Sequence, residues 1–103
     1  MTSAISPALA LEYLATLWVD LRAGAVLDAA GETLAGDPGL ARRAAGLLLG
    51  AEPGQTVSAE DSAGVLYAQR SEAHSIAVLV NPEALQAVVV CDLAEVLADL
   101  DGC

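Results

Sequence analysis

Apolar residues recur at helical spacing in three segments of the chain. Ser6 and Asp37 are each followed by a proline, and a side-chain cap before proline is the usual start of a helix. Leucines and alanines then recur every three or four residues after both starts, which predicts helices over residues 7–21 and 38–49. Asp92 resembles the first residue of a capping box and predicts a third helix that closes the chain.

β-like segments separate these helices. Residues 25–27 and 33–35 are predicted to form a hairpin around a turn that contains glycine. Three further strands are predicted over residues 64–70, 74–80 and 85–90, the last because it carries three consecutive valines.

The predicted order of elements is α-β-β-α-β-β-β-α, with one long loop over residues 51–62. The last three predicted strands are joined by tight turns and must be antiparallel, because parallel neighbours need a crossover of about a dozen residues or more. The sequence therefore predicts an α+β fold, a five-stranded antiparallel sheet with helices on both faces, in a single domain over residues 1–103.

The composition excludes several classes of function. The chain is 55% apolar, which excludes disorder, and its net charge of -10 repels phosphates, which excludes free-standing nucleic-acid binding. The longest uncharged apolar run, residues 84–91, is far shorter than the roughly 20 residues that span a bilayer, so we predict no membrane insertion. The first residues lack the basic stretch of a signal peptide, and two cysteines are too few for a disulfide framework, so a cytoplasmic location is expected.

His74 and Cys91 are the strongest catalytic candidates in the sequence. The predicted order places them at neighbouring ends of two antiparallel strands, with Cys91 at the start of a helix, a position that favours a reactive thiolate. No orienting group or oxyanion arrangement accompanies them, so we interpret His74 as an exposed turn residue and Cys91 as a buried structural thiol. The sequence also has no Cys/His cluster and no Gly-rich phosphate loop, and we expect a non-enzymatic protein with no cofactor and no bound metal.

The element order, at this length, resembles the Roadblock (dynein light-chain) family, relatives of the longin fold. The resemblance covers residues 8–100. Residues 25–35 are similar to the family's first hairpin, and residues 76–100 are similar to its strand, Asn-Pro turn and following strand leading into the last helix.

Membership of that family would imply homodimers or heterodimers in which the middle helices pack together and the third strands pair edge to edge. It would also imply binding to Ras-like small GTPases, as an activator subunit or a scaffold. For this chain the resemblance assigns the dimer surface to residues 38–49 and 65–70. The middle helix is apolar on more than one side, which independently favours a covered helix. At about 12 residues it is shorter than is typical of the family, a departure that bears on dimer geometry. The predicted interface side chains are Leu40, Ala44, Leu47, Leu48, Val65 and Tyr67.

Arg42 and Arg43 form the one distinctive charged feature of the predicted middle helix. A solvated helix face explains them simply, and contact with an acidic surface of a partner or of the other protomer is the functional alternative. The competing hypothesis for the whole chain is a monomeric small-molecule sensor or carrier domain with a pocket between sheet and helix. The mass in solution separates a dimeric module from a monomer.

Overall fold

The fold is known from a computed structural model, which describes residues 6–18 and 21–101. Within these residues three helices and five strands follow one another in the predicted order. In chain order they are α1 (Pro7–Leu17), β1 (Leu21–Asp28), β2 (Thr33–Gly36), α2 (Pro38–Leu48), β3 (Thr56–Asp61), β4 (Gly64–Arg70), β5 (His74–Val80) and α3 (Gln86–Leu100).

The strands form one antiparallel sheet in the order β2-β1-β5-β4-β3. Helices α1 and α3 cover one face, and α2 covers the other. The predicted α+β class, the antiparallel pairing and the helices on both faces are therefore confirmed. Among the described residues β2 and β3 each pair on one side only, so they are the two edges of the sheet.

Residues 85–90 are not a strand, and this part of the prediction is wrong. Helix α3 begins at Gln86, so the three valines that favour a strand lie in its first turns. Val89 is buried at helical spacing from Leu93, and this packing against the sheet outweighs the β propensity of valine. The true start carries no sequence signal, because its N-cap, Leu85, makes no side-chain capping hydrogen bond.

The predicted loop over residues 51–62 contains a strand that was not predicted from the sequence. Strand β3 pairs with β4 from Thr56 opposite Gln69 to Asp61 opposite Gly64. Its pattern is polar because it is an edge strand with much of its surface in solvent. The predicted strand count was right only because this missed strand offset the false one.

The first predicted helix is also too long. Helix α1 ends at Leu17 and is capped by Trp18, and β1 already begins at Leu21, four residues before the predicted strand. Residues 19 and 20, which the prediction placed in the helix, lie outside the described residues.

The centre of the α2 face is a row of small side chains, with Leu27 and Leu66 also buried on that face. On the α2 side, Ala25, Ala77 and Ala68 lie opposite one another across β1, β5 and β4, and all three are fully buried. On the other side, the same strands present larger residues such as Ile76 and Val78 to α1 and α3. Within the described part of the chain, no helix has the length and apolarity needed to cross a membrane.

Candidate interaction surfaces

Helix α2 is the element on which the predicted dimer surface was centred. Its start is well defined, because Asp37 Oδ1 accepts hydrogen bonds from the backbone N–H groups of Gly39 at 2.9 Å and Leu40 at 3.4 Å. Pro38 at the first helical position adds the preset backbone angle. The sequence signal and the structure agree at this end of the helix, and α2 ends at Leu48, one residue before the predicted end.

Three of the four predicted α2 interface residues face the sheet of their own protomer. Leu40, Ala44 and Leu48 are at most 4% exposed and pack with β1, β4 and β5. Leu47 points away from the sheet and is 37% exposed, and Leu49 beyond the helix end is 83% exposed. On α2, the apolar side chains left open to a partner are therefore those near its C-terminal end.

The predicted strand contribution to the dimer needs correction. Val65 and Tyr67 lie on β4, which pairs with β3 on one side and β5 on the other, so this strand has no free edge. Both side chains are buried under α1 and α3, on the face opposite to α2. Of the two open edges, the one next to β4 belongs to β3, whose Val57 packs into the α2-side core.

Arg43 connects α2 to the sheet edge. Its Nη2 atom lies 2.8 Å from Asp61 Oδ2 at the end of β3, and both side chains are partly exposed. The backbone N–H of Ala63, which donates to Asp61 Oδ1 at 2.8 Å, and the Arg43 guanidinium together lower the pKa of Asp61 below its ordinary value. Arg42, the residue before Arg43 on α2, is exposed. The two arginines thus differ, one tied to β3 and the other pointing into solvent.

The structure separates the two catalytic candidates. His74 Nδ1 lies 2.7 Å from Asp101 Oδ1, just past the C-terminal end of α3, and Ser71 Oγ donates to the same oxygen at 3.1 Å. Cys91 lies ten positions before Asp101, which is about 15 Å along a helix axis. Its side chain is exposed, so the prediction of a buried thiol is wrong. The group around His74 therefore joins the β4–β5 turn to the end of α3, and it forms no pair with the thiol.

A groove that was not predicted from the sequence lies where the end of α1 meets the start of α3. Trp18 Nε1 donates a hydrogen bond to Asp92 Oδ2 at 2.7 Å across this junction. The buried Gln69 of β4 also donates to the carbonyl oxygen of Val90 in α3 at 2.8 Å. Asp92 resembles a helix cap in sequence, but its carboxylate holds the tryptophan instead. Within the described residues, no group of three or more His, Cys, Asp or Glu side chains is arranged to hold a metal ion.

No protein-family model and no curated protein sequence matches this chain. Its fold, in contrast, is similar to solved Roadblock/LC7 domains from Streptomyces avermitilis. One crystal structure superposes with a TM-score of 0.78 over 96% of this chain and 96% of that chain, at 19% sequence identity. A second superposes with a TM-score of 0.69 over 86% of this chain and 92% of that chain, also at 19% identity. The chain therefore has the fold of a Roadblock/LC7 domain, and the expected resemblance is confirmed at the level of the fold.

Proposed function

We propose that this chain is a non-catalytic, homodimeric interaction module that binds and regulates a Ras-like small GTPase. The observation that carries the proposal is the likeness to Roadblock/LC7 domains over nearly the full length of both chains. The resemblance noted in the sequence implies dimers and GTPase partners for such domains. A cytoplasmic location is part of the same proposal.

The corrected geometry supports one surface for the dimer contact. The β3 edge offers unpaired backbone donors and acceptors to a second copy of the strand. Leu47 offers an exposed apolar side chain one helical turn beyond Arg43, and Arg43 forms an ion pair with Asp61 at the end of β3. In this form the proposal keeps Leu47 at the interface. It assigns Leu40, Ala44 and Leu48 to the packing of α2 on the sheet of the same protomer. It places the β3 edge, instead of Val65 and Tyr67, at the dimer interface.

Arg42 is the residue we assign to contact with an acidic partner surface. Its side chain is exposed on α2, whereas that of Arg43 already has a carboxylate partner at 2.8 Å. The chain has only four cations against fourteen carboxylates, so an exposed arginine is a distinctive feature of this surface. Arginine is well suited to interfaces because its planar group binds carboxylates through two parallel hydrogen bonds.

The proposal is tested by capture of purified Ras-like GTPases, each loaded with GDP or with a non-hydrolysable GTP analogue. We expect the wild-type chain to retain at least one GTPase, with a preference between the two nucleotide states. Arg42→Glu should weaken retention by about tenfold or more, as loss of an interface arginine commonly does.

Glu95→Lys is the matched control, because it is an exposed charge reversal on α3, on the face of the sheet opposite to α2. It should retain the GTPase as the wild type does. If no GTPase in the panel is retained in either nucleotide state, the regulatory part of the proposal is wrong. A GTP hydrolysis assay on any captured partner then separates an activator from a scaffold.

A further inference from the structure

The groove between the end of α1 and the start of α3 is an apolar cleft on the face opposite to α2. It has a volume of about 250 Å³. Its lining is apolar except for one carboxylate, Glu83, and includes Leu17 and Trp18 from the α1 end and Leu85 and Val88 from the α3 start. Pockets for drug-sized ligands have volumes of about 300–1,000 Å³, so this cleft fits one or two side chains better than a small molecule.

Exposed apolar side chains extend the groove along α1. Leu9, Tyr13 and Leu17 recur every four residues and are between 43% and 51% exposed, so they form one stripe on the outer side of the helix. Leu85 is 71% exposed and Val88 is 47% exposed at the other wall. A row of this kind exceeds the scattered single apolar residues that are ordinary on a protein surface.

The walls of the groove are held in place before any partner binds. The hydrogen bond from Trp18 to Asp92 ties the end of α1 to α3. The hydrogen bond from Gln69 to the Val90 carbonyl ties α3 to the sheet, and Gln69 is only 3% exposed. A preformed groove binds more tightly than one that must first be ordered, because less conformational entropy is lost.

The two helices that form the groove, with the turn before α3, carry charges of one sign. Residues 7–18 and 81–101, which contain α1, α3 and the turn before α3, carry six carboxylates and no arginine or lysine. All four arginines lie on other elements, on β1, α2 and β4. A second copy of the same face would bring like charges together, and an anionic membrane surface would be repelled for the same reason.

We propose that this groove binds an amphipathic helical segment of a partner protein that is rich in lysine and arginine. The apolar side chains of the segment enter the cleft and continue along the Leu9–Leu17 stripe, and its cations face the surrounding carboxylates. This interaction is independent of the proposed dimer, because it uses the opposite face of the sheet.

Trp18 makes the proposal directly testable, because it is the only tryptophan of the chain and lines the groove. The probe is a synthetic leucine–lysine peptide of about four helical turns, roughly 14 residues, with its leucines on one helical face. Titration should change the Trp18 emission in a saturable manner, and calorimetry should give one peptide per chain. A leucine–glutamate peptide with the same apolar face and a scrambled leucine–lysine peptide should each bind at least about tenfold more weakly.

Two leucine substitutions separate the groove from the rest of the surface. Leu85→Asp should weaken binding of the leucine–lysine peptide by about tenfold or more, since it removes an apolar wall. Leu49→Asp, at an even more exposed leucine on the α2 side, should leave the affinity within about twofold. Both leucines are well exposed, so circular dichroism should show both variants folded.

Three results would overturn the proposal. The first is equal affinity for the lysine and glutamate peptides, and the second is wild-type affinity in the Leu85→Asp variant. The third is a fall in molecular mass caused by Leu85→Asp, which would mean that a second copy of the chain covers the groove. Loss of dimerisation in a Leu47→Asp variant with peptide binding intact would leave this proposal standing and would concern only the proposed dimer.

Discussion

The two faces of the sheet are covered in different ways. One helix of 11 residues, α2, covers the first face, where the strands present a row of alanines. Two helices, α1 and α3, cover the second face, where the strands present isoleucine and valines. The alanine row lets α2 lie close to the centre of the sheet, with the buried Leu27 and Leu66 also on this face. On the other face the end of α1 and the start of α3 leave a groove where they meet.

The difference extends to the outer surfaces. The outer side of α2 carries Arg42 and Arg43, whereas α1 and α3 carry only carboxylates among their charged residues. Exposed leucines occur on both sides, Leu47 on the first and Leu85 by the second. The molecule therefore has two apolar surfaces, one on a helix that carries arginines and one on helices whose charged residues are all carboxylates, and each is suited to a different partner.

The largest expected effect tests the packing of α3 on the sheet. Leu93 of α3 is fully buried, and Leu93→Ala should lower the free energy of unfolding by about 2–5 kcal/mol, because it removes apolar contacts and leaves a cavity. Denaturant titration followed by circular dichroism measures the change. Val88→Ala, at a half-exposed position of the same helix, should cost less than about 1 kcal/mol. Equal losses for the two variants would contradict the assigned face of α3.

A smaller effect tests the alanine row. Ala77 lies between Ala25 and Ala68 beneath α2, so Ala77→Leu should push the helix away and lower the free energy of unfolding by about 1–3 kcal/mol. The same measurement on Ala87→Leu, at an exposed position of α3, provides the control and should show little change. If Ala77→Leu were as stable as the wild type, close packing of α2 on this face would be wrong.

Gly46 gives an effect of opposite sign. A Cβ atom at this exposed position of α2 would meet nothing within 4 Å, so Gly46→Ala should raise the free energy of unfolding by about 0.5–1 kcal/mol through helix propensity. Thermal unfolding at a concentration where the protein is monomeric measures it. A loss of stability would show that the outer side of α2 is more crowded within the protomer than the structure indicates.

The smallest effect concerns the contact between α2 and β3. The pKa of Asp61 is lowered from 3.8 by the N–H of Ala63 first and by Arg43 second, so a carbon-detected NMR titration should place its midpoint below that value. Because the folded-state pKa is depressed, the ionised carboxylate favours the folded state above the unfolded pKa. This contribution is lost as the pH falls through the folded-state value.

Arg43→Ala should raise the pKa of Asp61 only part of the way, because the Ala63 hydrogen bond remains. Arg42→Ala, the adjacent control, should leave it unchanged. A full return to the ordinary value in Arg43→Ala would mean that the backbone hydrogen bond contributes nothing.

Much of the fold could be predicted because local signals and packing agreed. Asp37 and Pro38 mark the start of α2 in the sequence and in the structure, and β4 and β5 carry apolar runs bounded by turns at both ends. The prediction of where α3 starts failed for a physical reason. Leu85 is not a capping residue, and the valines that follow favour strands in isolation. Edge strand β3 was not predicted because half of its surface faces solvent and its polar pattern resembles that of a loop.

The candidate surfaces were less predictable than the fold. The spacing of Leu40, Ala44, Leu47 and Leu48 identifies an apolar side of α2, but spacing cannot tell whether the sheet or a partner covers each residue. The groove depends on Trp18 and Asp92, which are 74 residues apart in the chain. No periodic pattern links such positions, so only the folded chain brings them together.

The most direct test of the proposed dimer is the mass in solution, measured by light scattering coupled to gel filtration over a range of concentrations. We expect the wild-type chain at twice the 10.4 kDa of one copy, Leu47→Asp at 10.4 kDa, and Leu85→Asp at the wild-type mass. A wild-type mass of 10.4 kDa at every concentration would contradict the dimer. It would favour the competing monomeric sensor or carrier domain.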